Sequence, residues 1–103
     1  MHKAKFSIGQ CIRHRLFDYR GVIYDVDPVF AASDEWYEQV ARTRPPKDEP
    51  WYHVLVDGAG HETYVAERNL DVDPEPAPVS HPRIGEFFSE FSGGIYLRGL
   101  RPN

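Results

Sequence analysis

Alternating apolar and polar residues predict two strands in the first quarter of the chain. The first covers residues 10–14, and the second covers residues 21–27. The second strand should stop at Pro28, which has no N–H to donate to a neighbouring strand. Period-two spacing would place Val22, Tyr24 and Val26 on one face of this strand, and Ile23, Asp25 and Asp27 on the other.

Residues 28–50 form a long connection that contains a short predicted helix. Ser33 is a good N-cap, and two acids follow it in the first turn, where the helix dipole favours negative charge. The helix should end near Thr43, because Pro45-Pro46 cannot continue it. One stripe at helical spacing would carry Trp36, Tyr37, Val40 and Ala41.

The middle of the chain reads as a β-hairpin. Residues 51–56 are β-branched and aromatic, residues 57–60 have turn chemistry, and residues 62–66 return. Residues 67–70 are expected to form one tight helical turn. Together these elements predict a mostly β domain over residues 1–70.

The composition of the chain changes after residue 70. Residues 71–83 are acidic and rich in proline, which predicts an extended linker outside the core. Residues 84–103 form an amphipathic segment with apolar residues at i, i+3, i+4 and i+7, which predicts a C-terminal helix ending at Gly93-Gly94. This segment packs back on the domain or engages another chain, and a second copy of the protein is one such partner. The apolar stripe consists of Ile84, Phe87, Phe88 and Phe91.

Length, cysteine content and charge narrow the class of protein. A chain of 103 residues fits one domain with a modest core. Its single Cys11 forms no internal disulfide, and it has neither a signal peptide nor an apolar run of about 20 residues, so we expect a cytoplasmic protein without a membrane span. The net charge is −4, yet residues 1–20 carry +4. The basic part of the chain either faces an anion or consists of ordinary solvated charges.

No arrangement of residues in the sequence indicates catalysis or a cofactor. The histidines lack metal-ligand spacing and no Cys-x-x-Cys accompanies them, so no metal site is predicted. Asp25 and Asp27 have the spacing of a carboxylate dyad, but strand acids more often solvate an outer face. We therefore expect a protein that is not an enzyme.

Aromatic and basic residues suggest two kinds of binding surface. One surface would hold nucleic acid, with cations for the phosphates and a ring that stacks on bases. The other would hold a protein, through apolar stripes on the long loop and the C-terminal segment. The DNA candidates are Arg13, Arg15, Arg20 and Trp51. The partner-binding candidates are Trp36, Tyr37, Phe87, Phe88 and Phe91.

Four stretches over residues 6–70 together resemble the HspQ family of heat-shock proteins, also described as YccV-like or hemimethylated-DNA-binding. The resemblance rests on Phe6, Ile8, Gly9, Gln10, Ile12, Arg13 and His14, on Tyr19, Gly21, Val22, Ile23, Asp25, Val26, Asp27 and Pro28, on residues 50–56, and on residues 63–70. The motif positions that identify the family are Gly9, His14, Gly21, Asp25, Asp27, Pro28, Trp51, Tyr52, His53, Tyr64, Glu67 and Asn69.

The resemblance implies a small curled antiparallel barrel, similar to an SH3-like fold, without a catalytic centre. It also implies a role under heat stress, in which the protein helps an ATP-dependent protease degrade denatured or unstable clients. A second implied role is binding of hemimethylated DNA near the replication origin. The acidic net charge favours the proteolysis role, because DNA binding requires neutralised phosphates. DNA binding remains the alternative.

Overall fold

A computed structural model describes residues 3–75 and 77–98 of the chain. Its elements, in chain order, are β1 (Cys11–His14), β2 (Arg20–Asp27), α1 (Asp34–Val40), β3 (Trp51–Val56), β4 (Glu62–Ala66), a 3₁₀ turn (Glu67–Asn69), β5 (Leu70–Val72), α2 (Ile84–Phe87), β6 (Glu90–Ser92) and β7 (Ile95–Leu97). None of the described helices is long and apolar enough to span a bilayer.

Five strands form one antiparallel sheet in the order β4-β3-β2-β1-β5, and β6 pairs with β7 in a separate hairpin. The predicted mostly β class, the strand that ends before Pro28 and the β3–β4 hairpin are therefore confirmed. Closure into a barrel would require β4 to pair with β5, and no such pairing exists within residues 3–75 and 77–98. The SH3-like barrel is thus not confirmed and stays a prediction.

A β-bulge at Tyr24 changes which residues of β2 face the core. Ile23 pairs with Val54, but the next pair on the ladder is Asp25 with His53, so Tyr24 is the extra residue. Val26 consequently packs in the same cluster as Ile23. The prediction that Val26 shares a face with Val22 and Tyr24 is wrong, because a bulge breaks the period-two alternation.

Apolar clusters cover both faces of the sheet. The inner cluster is formed by Phe6, Ile12, Ile23, Tyr52, Val54, Val65 and Leu70. On the outer face, the C-terminal segment covers one half of the sheet, with Cys11, Val22, Leu55, Val79, Phe88 and Tyr96. The other half is covered by α1 and its loop, where Tyr37, Ala41, Trp51 and Ala66 are buried. The middle of the outer face lies between these two covers.

Helix α1 begins as the sequence predicts. The Ser33 hydroxyl accepts the Trp36 N–H at 3.1 Å, which caps the helix. The helix ends at Val40 rather than near Thr43, because the backbone leaves helical geometry at Ala41, with ψ near 72°. Tyr37 and Ala41 are buried while Val40 is exposed, so only part of the predicted stripe faces the sheet.

The predicted linker begins as part of the sheet. Leu70–Val72 forms strand β5 against β1, and the chain then buries Asp73, Val79 and His81. The expectation of a segment outside the core is therefore wrong. The ion pair between Arg20 and Asp73 anchors this segment, as do the buried side chains of Val79 and His81. The division of the chain at residues 70 and 83 stays a prediction.

The predicted C-terminal helix is limited to one turn. Helix α2 covers Ile84–Phe87, after which Glu90–Ser92 and Ile95–Leu97 form a hairpin around Gly93-Gly94. Both glycines have positive φ, which a tight turn requires and other residues rarely adopt. The apolar spacing misled the prediction because a helix this short is marginal, and hairpin hydrogen bonds outweigh it.

Candidate functional site

The arginines predicted to bind DNA are paired with acids of the same chain. Arg13 contacts Asp18 at 2.9 Å, and Arg15 contacts Asp71 at 3.5 Å. Both pairs lie on or beside β1, on the side of the sheet where β5 is the edge. These side chains carry less free positive charge than their number in the sequence suggests.

Arg20 has a structural role on the same side of the sheet. Its guanidinium contacts Asp73 at 2.8 Å and Asp57 at 3.1 Å, and it donates to the carbonyls of Ala77 and Pro78. Burial alone would lower the pKa of Arg20, but the hydrogen bonds to Asp73 and Asp57 raise it above its ordinary value. Arg20 therefore fastens the segment after β5 to the sheet.

Trp51, the ring proposed to stack on bases, is only 1% exposed. Its indole N–H donates to the carbonyl of Pro46 at 3.0 Å, and the Phe30 ring packs edge-on against it. A base would have to displace the loop around α1 to reach this ring, so the burial of Trp51 argues against a stacking role.

A cleft of about 400 Å³ lies over the opposite edge of the sheet. Strand β4 runs along it, the turn between β1 and β2 forms one wall, and α1 with its following loop forms the other. Apolar residues on these walls are unusually exposed: Leu16 is 55% exposed, Phe17 is 67% exposed and Val40 is 51% exposed. Exposed apolar side chains concentrated around one concave surface indicate a binding site.

The main chain of β4 adds polar groups to this cleft. The Val56 N–H donates to the His61 carbonyl, and the Glu67 N–H donates to the Pro50 carbonyl. In an antiparallel ladder every second residue pair exchanges hydrogen bonds, so these two bonds show which pairs between β3 and β4 do so. Glu62, Tyr64 and Ala66 therefore direct their N–H and C=O groups away from β3. Within the described residues no further strand pairs with β4, so this edge is open at the half-buried Glu62 and Tyr64, whereas Ala66 is buried.

Four family-motif residues meet in the middle of the outer face, at one end of the cleft. One oxygen of Asp27 accepts both the Tyr64 hydroxyl at 2.7 Å and the His53 Nε2 at 2.9 Å. Ligand atoms of Asp25, Asp27 and His53 lie within 4.8 Å of one another. Burial raises the pKa of Tyr64, and its hydrogen bond to Asp27 raises it further, so the phenol stays protonated and donates.

His14 shapes one wall of the cleft. Its Nδ1 accepts the N–H groups of Leu16 and Phe17, each at 3.1 Å, and its ring stacks on Phe17. Burial lowers the pKa of His14 below its ordinary value, which favours the neutral ring that can accept these bonds. Leu16 and Phe17 were missed as site residues, although two adjacent apolar residues in a turn are the sequence signal that could have found them.

The partner-binding candidates fall into two groups. Tyr37 and Phe88 are buried in the clusters under α1 and the C-terminal hairpin. Trp36, Phe87 and Phe91 are only partly buried, and of the five candidates Trp36 alone lines the cleft. Whether they contact a partner stays a prediction.

The remaining motif residues support the architecture. A Cβ at Gly9 would collide with the carbonyl of Tyr96, and φ there is 93°. A Cβ at Gly21 would also collide with β3, 2.5 Å from the carbonyl oxygen of Leu55. Buried Glu67 accepts the Tyr52 hydroxyl at 2.6 Å, close to the end of β4. Of the other two motif residues, Asn69 lines the cleft, and Pro28 is exposed beyond the end of β2.

The fold and this cleft define a small, mostly β domain with a candidate binding cleft. A family model described as "Hemimethylated DNA-binding protein YccV like" matches residues 4–95. The match covers most of the chain, and the chain therefore belongs to the YccV-like family. The narrower resemblance to HspQ stays a prediction.

Curated relatives place a similar sequence within a longer protein. The chain is 37% identical over 94 residues to F-box only protein 21 of Homo sapiens, Mus musculus and Pongo abelii. The alignment covers 89% of this chain and 15% of each relative, so the chain spans about one seventh of their length.

Proposed function

We propose that this chain is a non-enzymatic protein-binding factor of the HspQ type. It binds extended segments of denatured or unstable clients and promotes their degradation by an ATP-dependent protease, in the cytoplasm and under heat stress. The single observation that carries the proposal is the open edge of β4 at the floor of an apolar cleft.

The chemistry of the cleft fits an unfolded polypeptide. An extended segment can hydrogen-bond to the half-buried Glu62 and Tyr64 as an added strand, which is a recurring mode of peptide recognition. Its side chains would then alternate between the Leu16 wall and the Val40 wall. The half-buried residues 62–64 extend over about 10 Å, so they accommodate roughly three residues of such a segment. Unfolded clients expose such segments, whereas folded proteins bury them.

The electrostatics favour protein over nucleic acid as the partner. The net charge is −4, and Arg13, Arg15 and Arg20 are each engaged with an acid. A phosphate would have to compete with these internal carboxylates. Aromatic anchors and open main-chain groups, by contrast, are the usual parts of a peptide site.

A degradation assay tests the proposal. The rate at which an ATP-dependent protease removes a fluorescent unstable client is measured with wild-type protein, with Leu16→Asp/Val40→Asp and with Val29→Asp/Val72→Asp. All four residues are exposed, but only Leu16 and Val40 line the cleft. We expect acceleration by the wild type and by the control pair, and none by the cleft pair. Equal acceleration by all three, or no acceleration by the wild type, would contradict the proposal.

The second candidate is recognition of hemimethylated DNA, which the description of the matching family favours. Fluorescence anisotropy with unmethylated, hemimethylated and fully methylated duplexes over a range of salt concentrations tests it. Arg15 is the suitable arginine to replace, because its side chain is well exposed. A phosphate contact by Arg15 would make Arg15→Ala lower the salt slope by about 1. Binding without preference for the hemimethylated duplex would exclude this function.

A further inference from the structure

The structure assigns a binding site for a divalent transition-metal ion to Asp25, Asp27 and His53, on the outer face between β2 and β3. This inference is independent of the proposed function. Two carboxylates and one imidazole are a ligand set that suits zinc and neighbouring first-row metals, with remaining positions open to water.

The ladder between β2 and β3 creates this arrangement. Asp25 pairs with His53, and Asp27 lies two residues further along β2, opposite Trp51. The bulge at Tyr24 places both acids on the face that carries His53. Side chains on paired strands of a rigid sheet hold metal ligands more precisely than side chains on loops.

The distances agree with the size of a metal ion. Zinc ligands lie about 2.1 Å from the ion, so the ligand atoms of a tetrahedral site are about 3.4 Å apart. The Asp27 Oδ2 and the His53 Nε2 are 2.9 Å apart, so they need to separate by only about 0.5 Å to hold one ion. All three ligand atoms lie within 4.8 Å of one another, and Asp25 is exposed, so a rotation of its side chain can bring its carboxylate closer.

A second layer of contacts already orients two of the ligands. The Tyr64 hydroxyl donates to Asp27 at 2.7 Å, and the His53 ring packs between the rings of Tyr24 and Tyr64. Such contacts fix the orientation of ligating carboxylates and imidazoles in metal proteins. Metal binding requires the proton of His53 to lie on Nδ1, which leaves Nε2 free to replace its contact with Asp27 by a bond to the ion.

Calorimetric titration of the full-length protein with ZnCl₂ tests the site, and Co²⁺ absorption reports the coordination geometry. All titrations use a His2→Gln background, which removes a histidine outside the described residues. We expect one zinc ion per chain and a higher melting temperature with zinc. Asp25→Asn should weaken zinc binding at least about tenfold, since it replaces an anionic carboxylate ligand with a neutral amide. It keeps an oxygen that can accept the Val26 N–H.

Two further variants separate a built site from incidental binding. Tyr64→Phe keeps all three ligands and should weaken zinc binding by about 10- to 100-fold through loss of orientation. His61→Gln removes an exposed histidine outside the cluster and should leave the affinity unchanged. The assignment is overturned when Asp25→Asn binds zinc like the wild type, when His61→Gln weakens binding as strongly, or when no zinc binds.

Discussion

The two edges of the main sheet satisfy their polar groups in different ways. Beside the β5 edge, Arg13, Arg15 and Arg20 are paired with acids, and residues 77–98 pack across the neighbouring face. At the β4 edge, the main-chain groups of Glu62 and Tyr64 face an apolar cleft. The density of charge in a sequence therefore does not locate the candidate binding surface, because intramolecular ion pairs can neutralise the charged side chains.

The largest loss of stability is expected on the closed side of the molecule, where the C-terminal segment covers the sheet next to β5. Phe88 is 6% exposed and packs on Tyr96, so Phe88→Ala should lower the free energy of unfolding by about 4 kcal/mol in urea titrations. Phe91→Ala is the control, because Phe91 is only partly buried and should cost clearly less. Equal, small losses for both variants would show that the C-terminal hairpin does not hold this side closed.

The next effect concerns the ion pairs beside β5. The side chain of Arg20 is 12% exposed and that of Asp73 is fully buried. Arg20→Ala should lower the free energy of unfolding by about 3 kcal/mol, because it removes the nearer of the two arginines beside a buried carboxylate. Arg15→Ala, at an exposed pair, should change it by less than about 1 kcal/mol. A loss as small for Arg20→Ala would mean that the segment after β5 is held by other contacts.

A smaller loss of stability should appear on the open side, at the wall of the cleft over β4, as the pH falls. Burial lowers the pKa of His14, so the unfolded chain takes up this proton before the folded chain does. The stabilising contribution of neutral His14 is therefore complete above its unfolded pKa of about 6.5, and it is lost as the pH falls towards the lower folded value. Unfolding in urea at several pH values between 5 and 8, compared with His14→Asn, isolates this contribution.

The Asn variant serves as the control because its Oδ1 can accept the N–H groups of Leu16 and Phe17 without titrating. Protonation of His14 removes that acceptor and loosens the wall of the cleft. We expect a steeper loss of stability on acidification in the wild type than in the variant. Identical pH profiles would contradict this role of His14.

The smallest effect on stability should come from the cleft walls. Leu16→Ser should change the free energy of unfolding by only about 0.5 kcal/mol, because the side chain is mostly exposed. It should nevertheless weaken the binding of an extended client peptide by about tenfold, since it removes roughly 1.5 kcal/mol of apolar contact. Anisotropy with a labelled peptide measures this. Val72→Ser, equally exposed beside the other edge, should bind normally. Weakened binding in both variants would remove the distinction between the edges.

The burial of the C-terminal segment makes truncation unsuitable for testing its contacts with a partner. A chain cut after Leu70 would lose Asp73, Val79, Phe88 and Tyr96 from the buried interior. Loss of client binding by such a truncation would report unfolding instead of a missing contact. Point substitutions at exposed positions of the cleft avoid this confusion and test the binding surface alone.

The elements that depend on near neighbours follow from the sequence alone. The Ser33 cap, the stop of β2 before Pro28 and the turn between β3 and β4 follow from hydrogen-bonding groups and backbone restrictions within a few residues. The motif positions were likewise sufficient to indicate the YccV-like family, which the match over residues 4–95 confirms.

Which distant groups meet depends on the folding of the whole sheet. Arg20 hydrogen-bonds to Asp73, which is 53 residues away in the sequence, and Tyr64 hydrogen-bonds to Asp27, which is 37 residues away. Asp25 lies opposite His53 in the ladder between β2 and β3. These pairings depend on strand order, register and one bulge, each of which is set by the packing of the whole sheet. The cleft over β4 has the same origin, because its walls come from a turn and a helix that the chain brings together only on folding.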